Sequence, residues 1–175
     1  KDGGRNQFFF FSSGHNGRYV SDLNLERDLR RAVERAEFEI HFQPRVNLAT
    51  GRIGSAEVLL RWRHPERGLI GPADFIPLAE ETRLILPISE WVLRAACAQA
   101  VAWRAAGHPA IRLAVNICAC HFHKPGLPEQ LAVLLQETGL PPDQLELEIT
   151  ETVAMRDLDA SVRLLEELQA QGIHL

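Results

Sequence analysis

Residues 55–62 read Ser-Ala-Glu-Val-Leu-Leu-Arg-Trp, which sets a carboxylate, Glu57, and a guanidinium, Arg61, inside a stretch patterned like a buried strand. An unpaired charge taken out of water is costly and tends to give up its charge. Both residues therefore face solvent or have partners. Further oxygen-bearing side chains stand near the ends of later apolar segments: Asn116 closes AIRLAVN, and Glu148 and Glu151 end LELEITE. Oxygen donors brought together from successive strands suit a hard divalent cation such as Mg²⁺ or Mn²⁺. Such an ion would be the partner that Glu57 needs. The plainer alternative stays open on these residues alone. A Glu in an amphipathic strand also serves as an ordinary solvent-facing residue, and Glu146 and Glu148 alternate with Leu145, Leu147 and Ile149 as a polar strand face would.

Other chemistry finds less support. Cys118-x-Cys120 with His121 and His123 has soft-metal residue types, but the four are crowded and no second pair completes a tetrahedron, so packing at a strand–loop junction is the default. No Gly-rich phosphate loop precedes a helix, and no Ser/His/Asp arrangement is visible. Trp62, Trp91 and Trp103 read as core or helix-face residues.

The elements that must position these groups fit a 175-residue chain, 46% apolar and 24% charged, which is enough for one domain with a core. The net charge of −4 provides no basic field for a DNA or RNA polymer. Three cysteines are an odd number and no disulfide framework; they favour a reducing, cytoplasmic setting, although a parent protein can carry a membrane or sensor module. No uninterrupted apolar run reaches the roughly 18–20 residues of a membrane span. The chain opens on Lys1-Asp2-Gly3-Gly4, without a starting Met or a signal peptide, and reads as a piece of a longer protein.

Along the chain, Phe8 to Phe11 suit a short strand and SSGHNGRYV (12–20) reads as a linker. A helix is expected from a cap at Ser21 or Asp22, with Leu25, Leu29, Ala32, Val33 and Ala36 inward. FEIHFQ (38–43) alternates as a strand, Ala49-Thr50-Gly51 turns, and a second strand runs to about Trp62 as an antiparallel partner. Residues 63–72 read as a loop and 73–82 as a helix behind Pro72. Ser89 is expected to cap a long helix to Ala106. Residues 110–117 and 145–150 read as strands, and 127–139 and 157–171 as helices, the last with Leu158, Val162, Leu165 and Leu168 inward. Ile173-His174-Leu175 begins another strand. Alternating strands and helices call for an α/β fold: parallel strands covered by helices, in an open sheet or a barrel whose strand ends carry the active face.

Four segments together resemble the EAL family of cyclic di-GMP phosphodiesterases: FQPRVNLATGRI (42–53), AEVLLRWRHPERGLIGPADFIPLAEET (56–82), LAVNICACHF (113–122) and LELEITET (145–152). They keep the family's order and spacing from about Leu23 onward. KDGGRNQFFFF (1–11) resembles the tail of a GGDEF domain, whose tandem with EAL is a common arrangement. The resemblance thus divides the chain into a GGDEF tail (1–11), a linker (12–20) and the N-terminal part of an EAL domain (21–175). It implies a modified, here truncated, TIM (β/α)₈ barrel whose first strand is antiparallel to the second. It also implies a metal-dependent hydrolysis of cyclic di-GMP to linear pGpG with Mg²⁺ or Mn²⁺.

Transferred by motif, Glu57 is the signature glutamate, catalytic and a metal ligand, and Asn116 and Glu148 bind the same ion. Arg61 meets a ligand phosphate, Gln43 lines the ligand site, and Glu151 steadies the loop after its strand. Three departures stand out: Val58 for the middle alanine of the signature, Asn47 for the usual Asp, and Cys118 for a small serine. The family's D-D-F-G-T-G strand, which completes a second metal site, would follow Leu175. The chain alone is therefore expected to be impaired. The expected partners are cyclic di-GMP, a second copy in a homodimer, and an upstream GGDEF or sensor domain. The alternative is a non-catalytic cyclic di-GMP receptor or protein-interaction domain.

Overall fold

The structure is a computed structural model that describes residues 13–155 and 157–175. The expected GGDEF tail over 1–11 lies outside the described residues. In chain order the elements are α1 (Ser13–Arg35), β1 (Phe38–Val46), β2 (Ile53–His64), β3 (Gly68–Ile70), α2 (Pro72–Glu81), α3 (Ile85–Ala105), β4 (Arg112–Asn116), α4 (Ala119–Phe122), α5 (Leu127–Thr138), β5 (Leu145–Glu148), α6 (Glu151–Ala154) and α7 (Leu158–Ala170). One mixed sheet runs in the order β1-β2-β4-β5, with β3 also paired to β2. β1 lies antiparallel to β2, while β2, β4 and β5 are mutually parallel. The sheet is open, and a parallel bridge between Glu146 and His174 marks the start of the next strand, as expected.

Alternation along the strands decides the two faces of this sheet. Phe38, Ala56, Val58, Trp62, Leu113, Val115, Leu145 and Leu147 are buried and form one core with the helices. Helix α3 supplies Ile85, Ile88, Val92, Leu93, Ala96, Cys97 and Ala100 to it. That helix is long and apolar enough to cross a membrane by length and composition, but 44% of the relevant window is buried within this fold. Trp62 is fully buried against Phe38 and Phe75, and its indole N–H donates to Glu37 Oε2 at 3.2 Å. Burying a polar tip on a large apolar ring is tolerated because the tip is satisfied.

Several expectations require correction. Helix α1 begins at Ser13, so the linker composition of 12–20 does not make a loop over 13–20, and neither Ser21 nor Asp22 starts the helix. A helix that is already nucleated extends at little cost through weak helix formers. Helix α3 begins four residues before Ser89, with Pro87 tolerated in its first turn. Ser89 is thus no cap; it is buried, with its hydroxyl 2.7 Å from His121 Nδ1. Strand β2 continues to His64 and turns into β3, so the expected loop over 63–72 contains a short hairpin. On α7 the inward residues include Ser161 and Leu168, whereas Leu158 and Val162 are exposed.

Candidate metal and ligand site

The parallel register sets the site. Val58 pairs with Val115, and β4 ends one residue later at Asn116, which pairs with Glu148 at the end of β5. Glu57 sits mid-strand rather than at the tip of β2. It nevertheless lies at the rim of the parallel part, because β2 beyond Val58 pairs with β1 and β3 instead. Glu57, Asn116 and Glu148 therefore lie on neighbouring strands on the face away from the core. Val58, the departure from the signature, is 4% exposed on the opposite face, so the change does not enter the site.

Asn116 Nδ2 donates to Glu57 Oε1 at 3.1 Å. Glu57 Oε2 lies 3.6 Å from Arg45 Nη2, and the same nitrogen donates to Glu148 Oε1. The other arm, Arg45 Nη1, donates to Glu146 Oε1 at 3.1 Å, and Glu146 Oε2 is 3.5 Å from Arg112 Nη1. One guanidinium from the antiparallel edge strand thus bridges three carboxylates. In register, Glu57, Ala114 and Glu146 lie side by side, and the small Ala114 leaves room for the Arg45 side chain to cross. The Arg45 guanidinium is held above its ordinary range, chiefly by its hydrogen bond to Glu148. Burial opposes this, and the charges of Glu148, Glu146 and Glu57 add to it.

The other expected residues fall around this cluster. Gln43 pairs directly with Glu57 across β1 and β2 and shares its face. Arg61 lies two positions further along from Leu59 on the same face, where its Nη1 donates to the Leu60 carbonyl at 2.7 Å. Glu151 is exposed at the first position of α6, outside the cluster. A cleft of about 500 Å³ is lined by Glu57 and Asn116 together with apolar groups that include Leu60, Ile76, Ile88 and Val153.

The cysteine–histidine group disperses. Cys118 and Cys120 thiols touch at 3.2 Å, but His121 turns inward to Ser89 and His123 faces the Val153 carbonyl at 3.2 Å. Burial pushes the Cys118 thiol up to about 12.

Sequence reasoning missed Arg45 and Glu146 as members of the site. The signal was present: the alternation that sets Gln43 opposite Glu57 also puts Arg45 on that face, and Glu146 shares the parity of Glu148.

The donor set can be tested for a divalent ion on the cation already there. Glu57 and Glu148 both address one guanidinium nitrogen, so a positive charge between them is stabilised, and the Asn116 amide, a hard-donor group, is hydrogen-bonded to Glu57 beside them. Among the described residues no three His, Cys, Asp or Glu side chains are grouped closely enough to hold an ion by themselves. The site consists of two carboxylates and an amide, and those residues fit a Mg²⁺-like or Mn²⁺-like ion that keeps part of its water shell.

A fold of this topology with this rim is that of an EAL-type domain, and residues 26–175 match the EAL domain family. The chain belongs to that family. It is 46% identical over 173 residues to MucR of Pseudomonas aeruginosa, a bifunctional diguanylate cyclase/cyclic di-GMP phosphodiesterase, covering 99% of this chain and 25% of MucR. It is 40% identical over 172 residues to the cyclic di-GMP phosphodiesterase NbdA of the same organism, covering 98% of this chain and 22% of NbdA. The chain thus spans about a quarter of the length of these relatives. The solved MucR phosphodiesterase in complex with c-di-GMP superposes with a TM-score of 0.82 at 46% identity, over 86% of this chain and 61% of that one. The EAL enzyme Bd1971, bound to cAMP and cyclic di-GMP, also gives 0.82, at 26% identity, over 91% and 44%.

Proposed function

We propose that this chain forms the metal-binding rim of a cyclic di-GMP phosphodiesterase that opens one phosphodiester to give linear pGpG. The observation that carries the reading is that Glu57 and Glu148 flank one cation position, with Asn116 of the strand between them hydrogen-bonded to Glu57. Membership of the EAL family and similarity to MucR and NbdA support the substrate class. Mg²⁺ or Mn²⁺ is the proposed ion. Bound there, it would neutralise charge on the phosphodiester and lower the pKa of an attacking water.

The chain's own residues do the rest. Glu57 and Glu148 would hold the cation, and Asn116 orients Glu57 by donating to Oε1. Arg61 offers a planar donor fork suited to a phosphate once it leaves the Leu60 carbonyl. Gln43, opposite Glu57, lines the ligand side. Glu151 acts through the loop after β5. The apolar wall of the adjoining cleft excludes water from one side of the rim.

The bifunctional name of MucR supports an upstream GGDEF domain, with the boundary near residues 12–20. A homodimer and a cytoplasmic location complete the proposal. The test is hydrolysis of cyclic di-GMP by the purified intact protein with Mg²⁺ or Mn²⁺. Glu57→Ala is expected to abolish turnover while the protein stays folded. Unchanged turnover removes Glu57 from the mechanism. Tight cyclic di-GMP binding without turnover by the unmutated protein in both ions would favour the receptor alternative.

A further inference from the structure

The expected site residues do not explain Arg45. Among the described residues it is the one that touches Glu57, Glu146 and Glu148 together, and its two arms are used differently. Nη1 is anchored on Glu146, which is itself steadied by Arg112. Nη2 lies between the two carboxylates proposed to hold the divalent ion. A cation of charge one therefore occupies the place where a cation of charge two is to bind.

We propose that Arg45 is a built-in counter-cation of this site: it neutralises Glu57 and Glu148 when the ion is absent, yields that place when the ion binds, and so sets the affinity for the ion. This rests on the metal reading of the site given above. Three carboxylates this close together repel one another strongly unless a positive charge lies among them. The fork geometry of a guanidinium allows one arm to leave while the other stays hydrogen-bonded. Glu146, which is not among the expected ion ligands, is the tether that keeps Arg45 beside the site after Nη2 is displaced. The ion must then compete with Nη2 and bind next to a retained positive charge, and both effects weaken its binding.

The test is Mn²⁺ binding to the purified intact protein, read from the electron paramagnetic resonance signal of free Mn²⁺, with Glu57→Ala defining binding elsewhere. Arg45→Gln is expected to tighten the Glu57-dependent binding about tenfold, since a unit charge a few ångströms from a divalent ion is removed. Arg45→Lys keeps the charge without the fork and is expected to tighten it less. A purely structural Arg45 would give the opposite sign, because loss of its cross-links would loosen the ligands and weaken Mn²⁺ binding. Unchanged or weaker binding in Arg45→Gln overturns the inference and leaves the metal reading intact. Absence of any Glu57-dependent Mn²⁺ binding in the unmutated protein overturns both. Thermal melting provides a second measurement should Arg45→Gln fold poorly. Without Mn²⁺ the variant should melt below the unmutated protein, and saturating Mn²⁺ should raise its melting point by more. An equal rise in the two proteins counts against the inference.

Discussion

The two faces of the same sheet are built on opposite terms. On the helix-covered face, Ala56, Val58 and Trp62 of β2 are buried among Leu113, Val115, Leu145 and Leu147. On the other face, one residue out of phase, Glu57 and Arg61 of the same strand stand with Asn116, Glu146 and Glu148. The first face is held by area removed from water and cannot lose volume cheaply. The second is held by charges that need one another: the Arg45 guanidinium links three carboxylates, with Arg112 on Glu146 and Asn116 on Glu57 beside it. Strand alternation lets twelve residues of β2 serve both ends, and a one-residue slip would exchange them.

The largest effect is expected where this difference is tested on one strand. Trp62→Ala removes a fully buried indole from between Phe38 and Phe75 and leaves Glu37 Oε2 without its donor. Its cost is expected at about 3–5 kcal/mol in chemical unfolding. Glu57→Ala, five residues earlier on the opposite face, is expected to change stability by no more than about 1 kcal/mol, because it also relieves repulsion with Glu148. Equal costs at the two positions would show that the open face carries the fold as much as the covered one.

A smaller effect separates the faces by pH. His121 belongs to the covered side, where burial holds its imidazole below the ordinary range; the neighbouring Gln130 side chain and the Glu90 carboxylate oppose this, and Lys124 adds to it. Its Nδ1 meets the Ser89 hydroxyl at 2.7 Å, tying the segment after Asn116 to helix α3. A buried neutral imidazole binds fewer protons than the unfolded one. Its contribution is therefore complete above the free value of 6.5 and is lost as pH falls below it. Urea midpoints measured at pH 7.5 and 5.5 should fall less in His121→Phe than in the unmutated protein. An identical fall in both would clear His121 of the acid sensitivity.

What could be read in advance divides along the same line. The covered face announces itself through periodicity: Phe38, Ile40 and Phe42 define β1, and Leu25, Leu29 and Ala32 define the inner side of α1. Glu57, Asn116 and Glu148 stood out as oxygen donors near strand ends, and their grouping about one ion came from the resemblance of four motifs to the EAL family. The short hairpin at β3 was not legible, because three residues between Gly68 and Ile70 carry no period. The start of α3 was hidden because Leu84 caps it without a polar side chain and Ser89 points inward. Leu158 and Val162 repeat at helical spacing, yet they remain exposed while Ser161 is buried, since burial depends on what lies opposite and not on the helix alone. Arg45 was overlooked for a related reason. Alternation puts it on the site face, but its partners lie on β2 and β5, and its reach to both is seen only in the side-chain distances.

The smallest effect compares two ion pairs of similar length on the two sides of the sheet. Arg94 Nη1 and Glu137 Oε2 lie 2.8 Å apart between α3 and α5, but both side chains are at least half exposed. Arg45 Nη1 and Glu146 Oε1 are longer, at 3.1 Å, with Glu146 at 18% exposure and a second cation on its other oxygen. Distance alone would rank the outer pair first. Solvent reverses the order, because water screens the outer charges and two flexible side chains must be held still to make one contact. A double-mutant cycle with Arg94→Ala and Glu137→Ala should give a coupling of about 0.2–1 kcal/mol that fades in concentrated salt. The corresponding cycle on Arg45 and Glu146 should couple more strongly and keep more of that coupling in salt. If the outer pair proves the stronger, the charges of the open face are solvated individually, and the guanidinium does not bind them into one unit.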